Sequence, residues 1–210
     1  MNQFINKELL YVEIHEYLEA SELKGPSVSI FGSARYPKNH KYIQQAEKLA
    51  SMLAQSGINI ITGGGPGIME AANKGASQSG GISCGFRIIL PFEEYTNQYI
   101  DNGFHFNFDH FCTRKMAFIQ HSNAFVIFPG GYGTLDELFE CLVNIQNQKT
   151  KSVPIYLIGN EFWKGIIDWI SDTLIQEGVI SPQDAQIFTL MDDINEIHKS
   201  IIEKITLINK

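Results

Sequence analysis

The 210-residue sequence predicts an α/β fold: a Rossmann-like doubly wound parallel sheet with helices on both faces, in a single domain spanning residues 1–210. Three observations predict it. Short, apolar, β-favouring runs alternate with longer segments of helical period. Those runs are nearly continuous in apolar residues, as strands buried on both faces of a parallel sheet must be. Three of them, at residues 27–31, 58–61 and 124–128, end in glycine-rich turns. In an open α/β sheet the three turns share the carboxyl edge, where ligands bind at the topological switch point.

Taken in order, residues 4–23 carry Leu9, Leu10, Val12, Ile14, Tyr17 and Leu18 among charges. This is a leading amphipathic helix, expected to lie across the domain or a partner subunit. Gly25-Pro26 breaks it. Residues 27–31 are a buried strand running into Gly32-Ser33-Ala34-Arg35. Residues 40–56 are helical, with Ile43, Ala46, Leu49, Ala50 and Leu53 on one side and Gly57 as the stop. The strand at 58–61 enters Thr62-Gly63-Gly64-Gly65-Pro66-Gly67, and a small-residue helix follows to Gly80-Gly81. A third strand spans 82–86, and 88–91 continues it or turns away. Residues 92–103 read as a loop with a helical turn. Phe104, Phe106 and Phe108 alternate with polar residues, a half-buried strand. Residues 109–122 form a helix carrying Thr113-Arg114-Lys115. After the strand at 124–128 come a helix, a strand at 153–158, and a helix from 161 to 177 stopped by Gly178. A connecting loop with a short edge strand at 188–191 precedes the last helix, 193–208.

Composition narrows the function classes. Net charge is −7 with no basic run, which argues against nucleic acid as a partner, because phosphate backbones require clustered Lys and Arg. Cys84, Cys112 and Cys141 are sparse, odd in number and far from any zinc spacing, as suits a reducing cytoplasm. The first twenty residues lack the basic-then-apolar design of a signal peptide, and no window approaches 18 uninterrupted apolar residues. The expected protein is cytoplasmic, with no membrane contact.

The stretch AFVIFPGGYGTLDELFE, residues 124–140, carries the chemistry. Pro129 ends its strand, and Gly130, Gly131 and Gly133 follow. Thr134 is expected to cap a helix whose first turn holds Asp136 and Glu137. Strand, glycine turn and helix N-terminus together form an anion site, since backbone N–H groups converge and the helix dipole favours negative charge. A phosphate cradle has no need of Glu137, so the loop suggests binding plus chemistry. Neither GxGxxG nor GxxxxGK[ST] nor GxSxG is present, which removes an ordinary dinucleotide fingerprint, a P-loop and a serine-hydrolase elbow.

These residues make the chain resemble the Lonely-Guy family, founded on cytokinin riboside 5′-monophosphate phosphoribohydrolases and formerly mislabelled as lysine decarboxylases. The signature PGGxGTxxE stands complete as Pro129 to Glu137, with Arg114-Lys115 upstream. FGSA at 31–34 and GGGPGIMEAANKGA at 63–76 match as well, so the resemblance runs from about residue 27 to 151. It implies hydrolysis of the N-glycosidic bond of a purine nucleoside 5′-monophosphate, of cytokinin riboside or AMP type, to free base and ribose 5-phosphate. Glu137 and Arg114 are then the catalytic pair. Gly130, Gly131, Tyr132, Gly133 and Thr134 would hold the phosphate, and Ser33, Gly64, Gly65 and Met69 would line the pocket. Lys115 is a phosphate or surface contact. Arg87 stands where relatives carry a small polar amide, next to the expected nucleotide.

Each residue also has a plainer reading. Glu137 alone could complement a helix dipole, worth roughly 0.3–1 kcal/mol. Arg114 alone would more often be a surface ion-pair residue, and Met69 core. Asp136 neighbours Glu137 but points about 100° away along a helix, which fits a supporting role. No metal and no cofactor is expected, since the histidines match no metal spacing and no pyridoxal phosphate lysine is recognisable. The alternative from another class is a non-catalytic binder, resembling molybdenum-cofactor carrier proteins. The Glu137–Arg114 pair favours the enzyme. The partners expected are a small nucleoside monophosphate and a second copy of the chain, in a homodimer or higher homo-oligomer.

Overall fold

The computed structural model describes residues 7–19, 23–90 and 95–208, and its core is one parallel sheet. Along the described residues the elements are α1 (Lys7–Glu19), β1 (Ser27–Phe31), α2 (Lys41–Gln55), β2 (Asn59–Thr62), α3 (Ile68–Gln78) and β3 (Ser83–Ile88). Then come β4 (His105–Phe108), α4 (Phe111–His121), β5 (Ala124–Ile127), α5 (Tyr132–Gln146) and β6 (Ile155–Leu157). The last are α6 (Asn160–Trp169), β7 (Phe188–Leu190) and α7 (Ile194–Ile208). A π-helical turn, Ile170–Ile175, prolongs α6. The strand order is β4-β3-β2-β1-β5-β6-β7 with every pairing parallel, so the order reverses between β1 and β5.

Strand residues alternate between two cores, as period-2 geometry demands. Val28, Ile30, Ile60, Val126 and Tyr156 face α2, α3 and α7, where Leu49, Leu53, Ala72, Ile197 and Ile201 meet them. Phe31, Ile61, Phe86, Phe125, Ile127 and Leu157 face α4, α5 and α6, against Phe118, Leu138 and Trp163. The doubly wound α/β sheet expected from the sequence is therefore present. All seven strands expected from the sequence are present, including β7 at the edge and β4 with its alternating phenylalanines. Residues 91–94, the end of the 88–91 segment and the start of the expected 92–103 loop, lie outside the described residues.

One expectation needs correction. Thr134 does not cap α5. Gly131 occupies the N-cap, and the helix starts at Tyr132, so Asp136 and Glu137 belong to its second turn. The chain is extended at that position (φ −91°, ψ −155°) and makes no side-chain cap bond. The leading helix is present, and most of its described apolar side chains turn outward from this chain. Tyr11, Val12 and Ile14 are exposed, whereas Glu13 is 2% exposed. α1 lies on α4 and β4 through that acid rather than through an apolar stripe. Tyr17 and Leu18 carry side chains outside the described set.

Helices α2 and α3 approach so closely that a Cβ on Gly75 would sit 2.1 Å from the Glu47 carbonyl oxygen. Alanine normally gains about 1 kcal/mol over glycine inside a helix. Here the backbone clash outweighs that gain, and Gly75→Ala should lower stability by about 2 kcal/mol in urea unfolding. Equal or greater stability would mean that the two helices can move apart freely.

Candidate active site

The switch point between β1 and β5 is closed by backbone bonds. Phe128 N–H donates to the Phe31 carbonyl at 2.9 Å, and Ser33 N–H donates to the Pro129 carbonyl at 3.0 Å. Ser33 in turn accepts from Ile68 N–H at 3.1 Å, which ties the start of α3 to the same point. Gly67, at φ +69°, makes that approach feasible, because a Cβ there would lie 2.4 Å from the Ser33 carbonyl oxygen. The three glycine-rich turns thus meet at one edge, as three consecutive strand ends of a parallel sheet require.

At the start of α5 the first helical bond runs from Leu135 N–H to the Gly131 carbonyl. The amides of Tyr132, Gly133 and Thr134 precede it and point out of the helix end, where the dipole favours an anion. The Tyr132 ring is 93% exposed, so its contribution at this end is its amide. Thr134 is buried, with its hydroxyl folded onto Gly130, where a Cβ would fall 2.2 Å away.

The Gly63-Gly64-Gly65 turn is held from behind by a buried polar cluster. Thr62 Oγ1 donates to Asn73 Oδ1 at 2.5 Å and accepts from Gly64 N–H at 3.0 Å. Asn97 Nδ2 donates to the Gly65 carbonyl at 3.2 Å and to Asn73 Oδ1 at 3.0 Å, while its own N–H donates to the Gly64 carbonyl at 3.1 Å. Asn73 and Asn97 were not singled out from sequence; the only signal was two amides beside glycine-rich or aromatic segments. Met69 folds back over the turn: a Cβ on Gly63 would meet its sulfur at 2.8 Å, and one on Gly65 its methyl at 2.7 Å. Arg87 lies beside Gly64. Its charge adds to burial in lowering the His105 pKa.

Arg114 reaches the same turn from α4, with Nη1 3.6 Å from where a Gly63 Cβ would stand. Its Nη2 donates to Glu137 Oε1 at 3.1 Å, and the two side chains are 8% and 12% exposed. The guanidinium lies 5.3 and 5.7 Å from the rings of Phe111 and Phe118. Its Nε is buried without a protein partner. Burial pushes the Glu137 carboxyl up to about 7, against the opposing pull of the Arg114 cation. Burial likewise lowers Arg114, opposed by Glu137 and Asp136. An acid with a midpoint near neutrality beside a fixed cation is suited to proton transfer at physiological pH.

Lys115 takes the other direction. Consecutive helical residues point about 100° apart, and Lys115 Nζ pairs with Asp136 at 2.9 Å and Glu140 at 3.1 Å. It is engaged in bracing α4 against α5, as is Asp136. The structure therefore brings together Ser33, Gly64, Gly65, Met69, Arg114, Glu137 and the Gly130–Thr134 turn, and turns Lys115 away. Among the described residues no group of His, Cys, Asp or Glu could hold a metal ion, and no helix is long and apolar enough to cross a membrane.

A family model described as "Possible lysine decarboxylase" matches residues 69–201. The chain belongs to that family. Its relatives bear the Lonely-Guy names that the signature led one to expect. A cytokinin riboside 5′-monophosphate phosphoribohydrolase of Arabidopsis thaliana is 27% identical over 194 residues, covering 87% of this chain and 88% of the relative. One from Rhodococcoides fascians is 28% identical over 163 residues, covering 74% and 79%. Among solved structures, the molybdenum cofactor carrier protein of Chlamydomonas reinhardtii is similar in fold. It has a TM-score of 0.59 and 21% identity, and the match covers 87% of this chain and 99% of that one. The molybdenum cofactor binding protein of Rippkaea orientalis gives 0.58 and 21%, over 86% and 99%.

A carbon-13 titration of the Glu137 carboxyl should centre near pH 7, with the carboxylate form dominant only above that midpoint. Arg114→Met should move the midpoint higher still, because the cation that favours the charged form is gone. A midpoint at the ordinary carboxylate value of about 4.3 would contradict the buried pair.

Proposed function

We propose that the protein hydrolyses the N-glycosidic bond of a purine nucleoside 5′-monophosphate, releasing free base and ribose 5-phosphate. The observation that carries this reading is the 3.1 Å contact between Arg114 and Glu137 beside the α5 N-terminus. The amides of Tyr132, Gly133 and Thr134 hold the 5′-phosphate. Glu137, in its carboxylate form, faces the ribose, stabilises the positive charge that develops as the bond to the base lengthens, and accepts a proton from the attacking water. The water oxygen bonds to the anomeric carbon. The departing base keeps the bonding electrons and takes up a proton, and Arg114 stabilises its developing negative charge. The names of the relatives support the reaction with cytokinin riboside 5′-monophosphate as its substrate, and AMP is the second substrate of the proposal.

A second reading is a non-catalytic carrier of a phosphorylated ligand, which the fold likeness to molybdenum cofactor carriers favours. Glu137→Gln separates the two. It should retain AMP binding by calorimetry and lose base release by about 10²–10⁴-fold, followed by chromatography. Binding without base release in the unchanged protein, for AMP and for isopentenyladenosine monophosphate alike, would support the carrier.

The working form is a homodimer in a reducing compartment. Support comes from the free thiols Cys84, Cys112 and Cys141 and from Tyr11, Val12, Phe111 and Met116, left exposed on α1 and α4. Analytical ultracentrifugation should give about twice the monomer mass, and a monomer at every concentration would remove this assembly.

A further inference from the structure

Glu13 is a buried carboxylate with no part in the hydrolysis described above. Every donor it meets belongs to the junction of β4 and α4. Asp109 N–H donates to Oε1, and so does His110 N–H, at 2.8 Å. Oε2 is paired with His110 Nδ1 at 2.9 Å and accepts from Thr113 Oγ1 at 2.6 Å. Burial raises the acid, and these bonds together outweigh burial and leave it below its ordinary range. His110 is the N-cap residue of α4 and supplies no side-chain cap of its own. Glu13, 97 positions away in sequence, instead accepts the N–H of that N-cap residue.

We propose that Glu13 is a positioning residue for the hydrolysis: by fastening α1 to the first turn of α4 it fixes where Arg114 meets Glu137. The inference rests on the hydrolase reading of that pair. Arg114 directly follows Thr113, and its own N–H bonds to the His110 carbonyl. The Glu13 contacts therefore bracket the turn from which the guanidinium departs. One residue of helical slippage rotates a side chain by about 100° and shifts it about 1.5 Å, and neither would preserve the contact to Glu137. Among the described side chains of α1 only Glu13 is buried, and it bonds to the first turn of α4. A carboxylate is costly to bury unless its lone pairs are filled, and here four donors fill them on one helix end. The dipole of α4 adds to the attraction.

The test uses the full chain with Glu13→Gln and, as a milder change, Thr113→Val, which keeps shape and removes one donor. Base release from AMP, thermal unfolding and the carbon-13 titration of Glu137 are measured for each. The expected result for Glu13→Gln is a kcat lower by about tenfold to a hundredfold, with KM within about twofold because the α5 amides are untouched. The Glu137 midpoint should rise by at least about half a pH unit as its cation withdraws. Thr113→Val should shift both readouts in the same direction by less, and it carries the test if Glu13→Gln does not fold. Loss of kcat without movement of the Glu137 midpoint, or loss matched by the unfolded fraction, overturns the proposal. If the unchanged protein releases no base from any purine monophosphate, the hydrolase reading fails, while the Glu137 midpoint still decides whether Glu13 positions Arg114.

Discussion

A guanidinium and a carboxylate share a nearly dry contact at the carboxyl edge of the sheet, and the rest of the molecule is arranged so that this contact is tolerable. Neither charge could be buried alone, since an uncompensated ion in a protein interior costs several kcal/mol. Arg114 arrives on α4 and Glu137 on α5, two helices that cover the same face of the sheet. Their spacing is set by Phe118 and Leu138 packed on the strand residues beneath. Outside the contact, Lys115 with Asp136 and Glu140 ties the same two helices together in a wetter setting. The inner pair suits chemistry and the outer trio bracing, because consecutive residues of one helix face different surroundings.

The glycine turns complete the site by geometry rather than by side chains. Three strand ends lie side by side because β1, β2 and β5 are adjacent in the sheet. That adjacency makes the short sequence blocks at 31–34, 63–67 and 129–134 neighbours in space. The amides proposed to hold a phosphate belong to the helix that starts at the switch point, where α/β sheets gather ligands.

Much of this was legible in the sequence. Parallel strands follow from charge-free runs such as Ala124 to Ile127, and the helix breaks follow from Gly57 and Gly178. Glu137 and Arg114 were legible because a signature of fixed spacing carries them. What sequence did not reveal has physical causes. The periodicity of the leading helix gave no sign of Glu13, whose burial depends on donors about a hundred positions away. Thr134 looked like a cap, but the chain became helical two residues earlier, and its hydroxyl packs onto Gly130. Asn73 stood inside the matched 63–76 block and Asn97 in a polar loop with nothing to mark either as buried, since a buried amide matters only through partners that the fold brings to it.

Those two amides have a further consequence. The carbonyls of Gly64 and Gly65 are already engaged by Asn97, and the Gly64 N–H by Thr62. A flexible glycine run has thereby become a preorganised wall. A guest arriving at this edge finds its receptor already ordered, so little chain entropy is lost on docking and affinity depends more on the contacts themselves.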